Sequence, residues 1–158
     1  MVKSANSKLW MLRQLKQFNI KPADLIEIYT SFIRSRLEYC VPVWNATLTE
    51  DDKKDIERIQ KTAIKIITGE HDNTYEESLK LVNLETLEKR REDLCLEFAI
   101  KCVQNENHTQ LFKRTDNTLL HYPPKFEPPF CHNERYKKSP IPYLTDLLNK
   151  HYSKSNNG

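Results

Sequence analysis

The sequence is poor in glycine, with only two in 158 residues. So little glycine disfavours β-hairpins, whose turns need residues with positive φ, and it rules out a glycine-rich phosphate loop. No apolar run approaches the roughly 18 residues that a membrane-spanning helix needs. The first dozen residues contain neither an apolar segment nor a small-residue cleavage site. We therefore expect an intracellular protein, nuclear or cytoplasmic, that is not secreted and has no membrane partner.

Residues spaced as in a catalytic or metal site are also lacking. Cys131 and His132 are the only neighbouring Cys/His pair, whereas a structural zinc site takes four ligands at short recurring spacings. The only Asp-Asp pair, Asp51 and Asp52, follows Thr49 at a predicted helix start, where carboxylates act as caps. The five histidines are scattered through predicted loops and termini. We therefore expect no enzyme activity, no cofactor and no bound metal.

Charge and helical patterning are what the sequence has in quantity. Charged residues make up 30 % of the chain, and apolar residues recur three and four positions apart. This pattern predicts a mainly α fold, a compact helical bundle of about five helices within residues 1–105. The predicted helices begin near Ser4, Pro22, Thr49, Thr74 and Thr86. Capping pairs open the third and fourth helices, and Gly69 ends the third.

The composition changes after residue 105, where Asn, His, Thr and Pro dominate. Six prolines lie between Pro123 and Pro142, which predicts an extended arm over residues 106–152. A short final helix is predicted from about Tyr143 to Lys150, with a disordered tail at residues 153–158. Four apolar side chains are expected to hold this segment against the helices: Ile141, Tyr143, Leu144 and Leu147.

A basic stripe is the sharpest physical feature of the predicted third helix. Its members occupy positions i, i+4, i+7 and i+11, and they are Lys54, Arg58, Lys61 and Lys65. At about 100° per residue they share one narrow line opposite the isoleucine face. Such a line could follow a phosphate backbone. The alternative is an ordinary solvated face, neutralised in part by intrahelical pairing of Lys54 with Glu50 and of Lys61 with Glu57.

Aromatic residues beside basic residues mark two further candidate nucleic-acid contacts. Trp10 and Arg13 lie on the polar side of the first helix, where Trp10 could stack on a base. Trp10 could equally be a core residue whose partner domain is absent from this chain. The second candidate, Arg135 to Lys138, combines three basic residues with a tyrosine: Arg135, Tyr136, Lys137 and Lys138. Alternatively, these residues are simply the basic part of a segment that packs against the helices.

Five stretches of the chain, taken in order, resemble the region after the catalytic palm of jockey-like non-LTR retrotransposon reverse transcriptases. They are Asn6 to Lys16 (NSKLWMLRQLK), Leu37 to Trp44 (LEYCVPVW), Ile56 to Gly69 (IERIQKTAIKIITG), Tyr75 to Cys102 and Glu134 to Asn149 (ERYKKSPIPYLTDLLN). The resemblance implies a thumb-like helical domain over residues 1–105, followed by a C-terminal arm.

The polymerase residues of that family have no counterpart here. The family places paired aspartates in a Tyr/Phe-x-Asp-Asp hairpin that holds two metal ions, and Asp51-Asp52 lacks that context. The resemblance therefore implies a non-catalytic fragment of an RNA-directed DNA polymerase. Its expected partners are RNA, single-stranded DNA or an RNA/DNA hybrid, bound weakly and without sequence specificity, together with the polymerase palm. A helical protein-interaction module and a truncated relic without selected function are the alternatives.

Overall fold

The computed structural model describes residues 2–69, 73–115 and 125–155. The fold is mainly α, as predicted, and within the described residues no strand is present. The helices are α1 (Val2–Gln17), α2 (Pro22–Ile28), α3 (Ser35–Glu38), α4 (Val41–Trp44), α5 (Glu50–Thr68), α6 (Tyr75–Leu81), α7 (Leu87–Gln104), α8 (Glu134–Lys137) and α9 (Pro140–Ser155). A π-helical stretch, Tyr29–Arg34, joins α2 to α3, and 3-10 turns occupy Asn45–Thr47 and Glu106–Leu111.

The chain divides into two compact units that do not follow the predicted domains. The first unit contains Met1–Cys40 and Leu48–Arg91, and the second contains Val41–Thr47 and Glu92–Gly158. The predicted boundary is at residue 105, near the end of α7. The observed boundary instead falls within α7, because the second half of that helix belongs to a different apolar core from the first.

The core of the first unit forms where α1, α2 and α5 pack together. The apolar faces of α1 and α5 are buried, including Leu9 and Leu12 from α1 and Ile56 and Ile67 from α5. Lys16 extends from α1 to the end of α5, where its Nζ donates a hydrogen bond of 2.7 Å to the Ile67 carbonyl. This bond satisfies one of the carbonyls that a helix end leaves without an intrahelical partner.

The two ends of α5 are determined by local chemistry that the sequence predicts. Thr49 and Asp52 form a reciprocal capping box at its start, and Thr74 and Glu77 form another at the start of α6. Gly69 follows the last turn of α5 in the left-handed conformation, with φ of 74°. The capping predictions and the Gly69 stop are therefore confirmed.

The second unit gives the C-terminal region a packed core in place of the predicted extended arm. Its buried residues come from α4, the second half of α7, the loop segments and α9: Val41, Cys95, Ala99, Cys102, Phe112, Phe126, Leu144 and Leu148. Asn149 holds the backbone of Phe126 on both sides. Its Oδ1 accepts from the Phe126 N–H, and its Nδ2 donates to the Phe126 carbonyl, each at 2.9 Å.

The final helix is longer than predicted. It spans Pro140–Ser155, because prolines in the first turn of a helix remove no intrahelical hydrogen bond. The prediction of a disordered tail from Ser153 is wrong as far as Ser155, and residues 156–158 lie outside the described residues. The expected packing of Tyr143, Leu144 and Leu147 is confirmed. Residues 116–124 of the predicted arm lie outside the described part of the chain.

A helix that crosses a bilayer needs about 20 consecutive, mostly apolar residues. None of the helices in the described ranges is both long enough and apolar enough to cross a bilayer.

Replacing Gly69 tests the stop of α5. A Cβ at this position would meet no atom within 4 Å, so the effect of a substitution comes from backbone conformation alone. We expect Gly69→Ala to lower the free energy of unfolding by about 1 kcal/mol, and Gly69→Asn to cost clearly less because Asn tolerates positive φ. Chemical denaturation measures both. Equal losses for the two variants would contradict this explanation of the helix end.

The capping carboxylates should make stability depend on pH. Hydrogen bonds from Thr49 lower the pKa of Asp52, and those from Thr74 lower the pKa of Glu77. A lowered folded-state pKa stabilises the fold above the unfolded pKa of about 4, and the contribution is lost as pH falls through the folded value. The double variant Asp52→Asn, Glu77→Gln lacks both capping carboxylates. Its free energy of unfolding, measured by chemical denaturation, should fall less between neutral and acid pH than that of the parent chain. Identical pH profiles would refute this contribution.

Candidate nucleic-acid interface

The basic stripe predicted on the third helix is a continuous exposed line on α5. All four members are exposed: Lys54, Arg58, Lys61 and Lys65. The opposite face of α5 is buried by apolar residues such as Ile56, Ala63 and Ile67. From Lys54 to Lys65 the helix advances about 16 Å, at 1.5 Å per residue. The apolar face therefore fixes the rotation of α5 so that its cations face solvent.

Two of these cations pair with acidic neighbours on the same helix. The Lys54 Nζ lies 3.4 Å from Asp51 Oδ1, and the Arg58 Nη2 lies 2.6 Å from Asp55 Oδ1. The predicted pairing of Lys54 with Glu50 is wrong, since Glu50 pairs instead with Lys53 at 2.7 Å. Exposed pairs of this kind contribute at most about 1 kcal/mol. An incoming phosphate can therefore replace the carboxylates at little cost.

Lys61 lies against an aromatic ring that is not among the predicted site residues. Its Nζ is 4.7 Å from the ring centroid of Tyr75, the first residue of α6. This distance is within the range of a cation–π interaction. Lys61 and Tyr75 together mark the point where α5 and α6 meet on the basic side of the unit.

Tyr75 borders two surface depressions. The larger, of about 460 Å³, is bordered by residues from the first part of α5 and the start of α7. The smaller, of about 320 Å³, is bordered by the last part of α5 and by α6. Arg58, Lys61 and Tyr75 contribute to both depressions. The stripe is thus flanked by concave surface where these three residues meet.

A buried amide fixes the position of Tyr75. The Nε2 of Gln60, a residue with 0 % exposure, donates to the Tyr75 hydroxyl oxygen at 3.0 Å and to the Glu85 carbonyl at 2.7 Å. The Oε1 of the same amide accepts from the Tyr29 hydroxyl at 2.7 Å. Buried polar groups that satisfy each other in this way specify a single arrangement of the helices around them.

Glu57 completes this network. Its Oε1 accepts a hydrogen bond from the Tyr75 hydroxyl. The same carboxylate accepts from the backbone N–H groups of Leu87, at 3.1 Å, and Glu88, at 3.3 Å. Those groups open α7 and have no intrahelical acceptor, so Glu57 caps α7 from α5. The carboxylate is thus engaged by Tyr75 and α7, whereas the sequence suggested Lys61 as its partner.

The two tyrosine hydroxyls of the network remain hydrogen-bond donors. Burial is the main reason that the pKa of Tyr75 lies well above its usual range, and the hydrogen bond to Glu57 raises this pKa further. Burial likewise raises the pKa of Tyr29. Both hydroxyls consequently keep their protons at neutral pH.

Arg91 borders the larger depression from α7. It is only 2 % exposed. Glu88 borders the same depression, and its carboxylate lies 3.9 Å from the Nζ of Lys53. The larger depression therefore combines acidic and basic groups, with the cations in excess.

The residues of the other two predicted contacts are not among those that border the depressions. Trp10, which is 65 % exposed, and Arg13 are on α1 and border neither of them. The second cluster, all exposed, belongs to the one-turn helix α8 and its C-cap in the second unit: Arg135, Tyr136, Lys137 and Lys138. Asn133 caps that turn by accepting from the Tyr136 N–H at 2.7 Å.

Neither the arrangement of metal-ligating side chains in the described residues nor a comparison with known proteins points to a further functional site. Among the described residues, no group of three or more His, Cys, Asp and Glu side chains is arranged to hold a metal ion. Comparison with known protein families, curated proteins and solved structures finds no match for this chain.

Sequence reasoning missed Glu57, Gln60 and Tyr75 as parts of the candidate interface. Gln60 carried a usable signal, because it falls four residues after Ile56 on the buried face of α5, where a polar side chain needs partners. Tyr75 carried none, since its position beside Lys61 depends on how α6 packs against α5.

Replacing Gln60 tests the network. Gln60→Leu preserves volume but removes the partners of the buried Tyr29 hydroxyl and the Glu85 carbonyl, so we expect a loss of about 2–3 kcal/mol in unfolding free energy. Gln17→Leu, at an exposed position near the end of α1, is the matched control and should change stability by less than about 0.5 kcal/mol. Similar effects of the two substitutions in chemical denaturation would contradict the proposed importance of the network.

Proposed function

We propose that this chain is a non-catalytic, thumb-like segment of a non-LTR retrotransposon RNA-directed DNA polymerase that binds the backbone of RNA or of an RNA/DNA hybrid. The observation that carries the proposal is the exposed basic stripe on α5. Its four cations are fixed on one side of a helix whose other side is buried. The family assignment is supported by the ordered sequence resemblance described above.

Electrostatics explain how the stripe would bind. Phosphates attract cations without regard to base sequence, and each contact releases counterions from the nucleic acid. The acidic partners of Lys54 and Arg58 are themselves exposed, so their pairing offers little resistance to a polyanion. Binding should therefore be weak, independent of sequence and sensitive to salt.

The remaining predicted residues supply secondary contacts in this proposal. Arg135, Lys137 and Lys138 are exposed cations next to the 40 %-exposed ring of Tyr136, a combination suited to a phosphate and a base. Trp10 and Arg13 offer a similar combination on α1. In the complete polymerase, the palm would be the protein partner and would supply the catalytic metal ions.

A helical protein-interaction module is the second candidate function. The observation that favours it is the exposure of large apolar side chains in the first unit, among them Trp10 at 65 %, Phe18 at 75 % and Phe32 at 60 %. Side chains of this kind mark an interaction site where they form one contiguous patch. Association that strengthens or stays constant as salt rises would favour this candidate over nucleic-acid binding.

Neutralising the stripe tests the leading proposal. Replacing Lys54, Arg58, Lys61 and Lys65 by Gln should weaken binding to labelled RNA. The slope of log affinity against log salt should fall by about 0.7–0.9 for each phosphate that the variant no longer neutralises. Fluorescence anisotropy at several salt concentrations measures this slope.

The control is a variant with the same change in net charge at exposed positions outside α5. Gln replaces Lys3, Lys21, Arg36 and Lys101, all of which are exposed. This variant should keep most of the parental slope, because its positions belong to different elements and do not form a line along one helix. If both variants lower the slope equally, binding reflects net charge alone and the stripe is not the site.

A further inference from the structure

Tyr75 borders both depressions beside the stripe. The smaller depression also has Thr62, Asn73 and Ser78 on its border, and the larger has Thr86. These side chains add polar groups next to the aromatic ring. Phosphate-binding cations, an aromatic face and polar groups are therefore gathered within the first unit.

Tyr75 is also held rigidly. Its hydroxyl donates to Glu57 and accepts from Gln60, and Gln60 is itself buried and bonded to Tyr29 and Glu85. A side chain fixed by two hydrogen bonds loses little further freedom when a ligand contacts it, which favours binding. By contrast, the stripe cations are on long and exposed side chains.

Whether its bases are paired determines which nucleic acid can stack a base on the Tyr75 ring. In a duplex the base faces are stacked on one another, so only phosphates and groove edges can approach a surface of this kind. An unpaired strand can place a base against the aromatic ring while its phosphates contact the neighbouring cations. The two depressions that Tyr75 borders, of about 460 and 320 Å³, provide room for a base that a duplex could not insert.

We propose that Tyr75, with Arg58 and Lys61 beside it, forms a stacking site for an unpaired nucleobase, so that the stripe prefers single-stranded nucleic acid to duplex. This inference rests on the proposed function and names its ligand class. Lys61, 4.7 Å from the ring centroid, would contact the phosphate of the nucleotide whose base stacks on Tyr75.

The first test uses the unmodified protein. Its affinity is measured for a single-stranded DNA oligonucleotide, for the same backbone with abasic sites throughout, and for the corresponding duplex, all at one salt concentration. Stacking of one or more bases should make the intact strand bind roughly five- to one-hundred-fold more tightly than the abasic strand. The intact strand should also bind more tightly than the duplex.

Three variants then locate the effect. Tyr75→Leu should remove the preference for the intact strand, while Tyr75→Trp should preserve it because the aromatic face remains. Tyr39→Leu is the control, since Tyr39 is 74 % exposed in the same unit and borders neither depression. Circular dichroism verifies that each variant is folded. If Tyr75→Leu does not fold, the comparison of intact and abasic strands with the unmodified protein still tests the proposal.

The outcomes separate this inference from the function on which it rests. Equal, salt-sensitive affinity for the intact and abasic strands would overturn the stacking site and leave backbone binding by the stripe intact. A preference that survives in folded Tyr75→Leu would also overturn it. No binding to any of the three oligonucleotides at low salt would overturn this inference, and no binding to labelled RNA at low salt would overturn the proposed function as well.

Discussion

Burial of the apolar face of α5 is the constraint on which the first unit depends. Ile56, Ala63 and Ile67 are almost completely removed from solvent, and α1 and α2 pack against this helix. Because the helical repeat is fixed, burying one face determines the direction of every other side chain on α5. The core therefore orients the basic stripe, and no separate interaction among the exposed cations is needed to align it.

The polar core around Gln60 adds precision that apolar burial does not provide. Apolar contacts are non-directional, whereas the Gln60 amide and the Glu57 carboxylate bond to named atoms on neighbouring segments. Glu57 caps α7 and holds Tyr75, so one side chain of α5 connects the start of α7 with the ring at the edge of the stripe. Stability and the geometry of the candidate interface thus share the same residues, and damage to this network should affect both.

Local signals in the sequence predict the first unit better than the second. The capping boxes at Thr49 and Thr74 and the stop at Gly69 act through residues close in sequence, and the structure confirms them. The stripe's exposure follows from the period of α5. The packed core of the second unit was not predicted, because Phe112, Phe126 and Leu148 meet through contacts distant in sequence. Proline content suggested an extended arm there, although Pro140 and Pro142 lie in a first helical turn that tolerates them.

The proposed function depends on exposed cations that are fixed on one face of a helix and bind nucleic-acid phosphates. The most direct measurement is the affinity of the whole chain for a labelled single-stranded RNA over a series of salt concentrations. If all four stripe cations contact phosphates, log affinity should fall linearly with log salt, with a slope of about −3. Absence of binding at low salt, or affinity that does not change with salt, would contradict the claim.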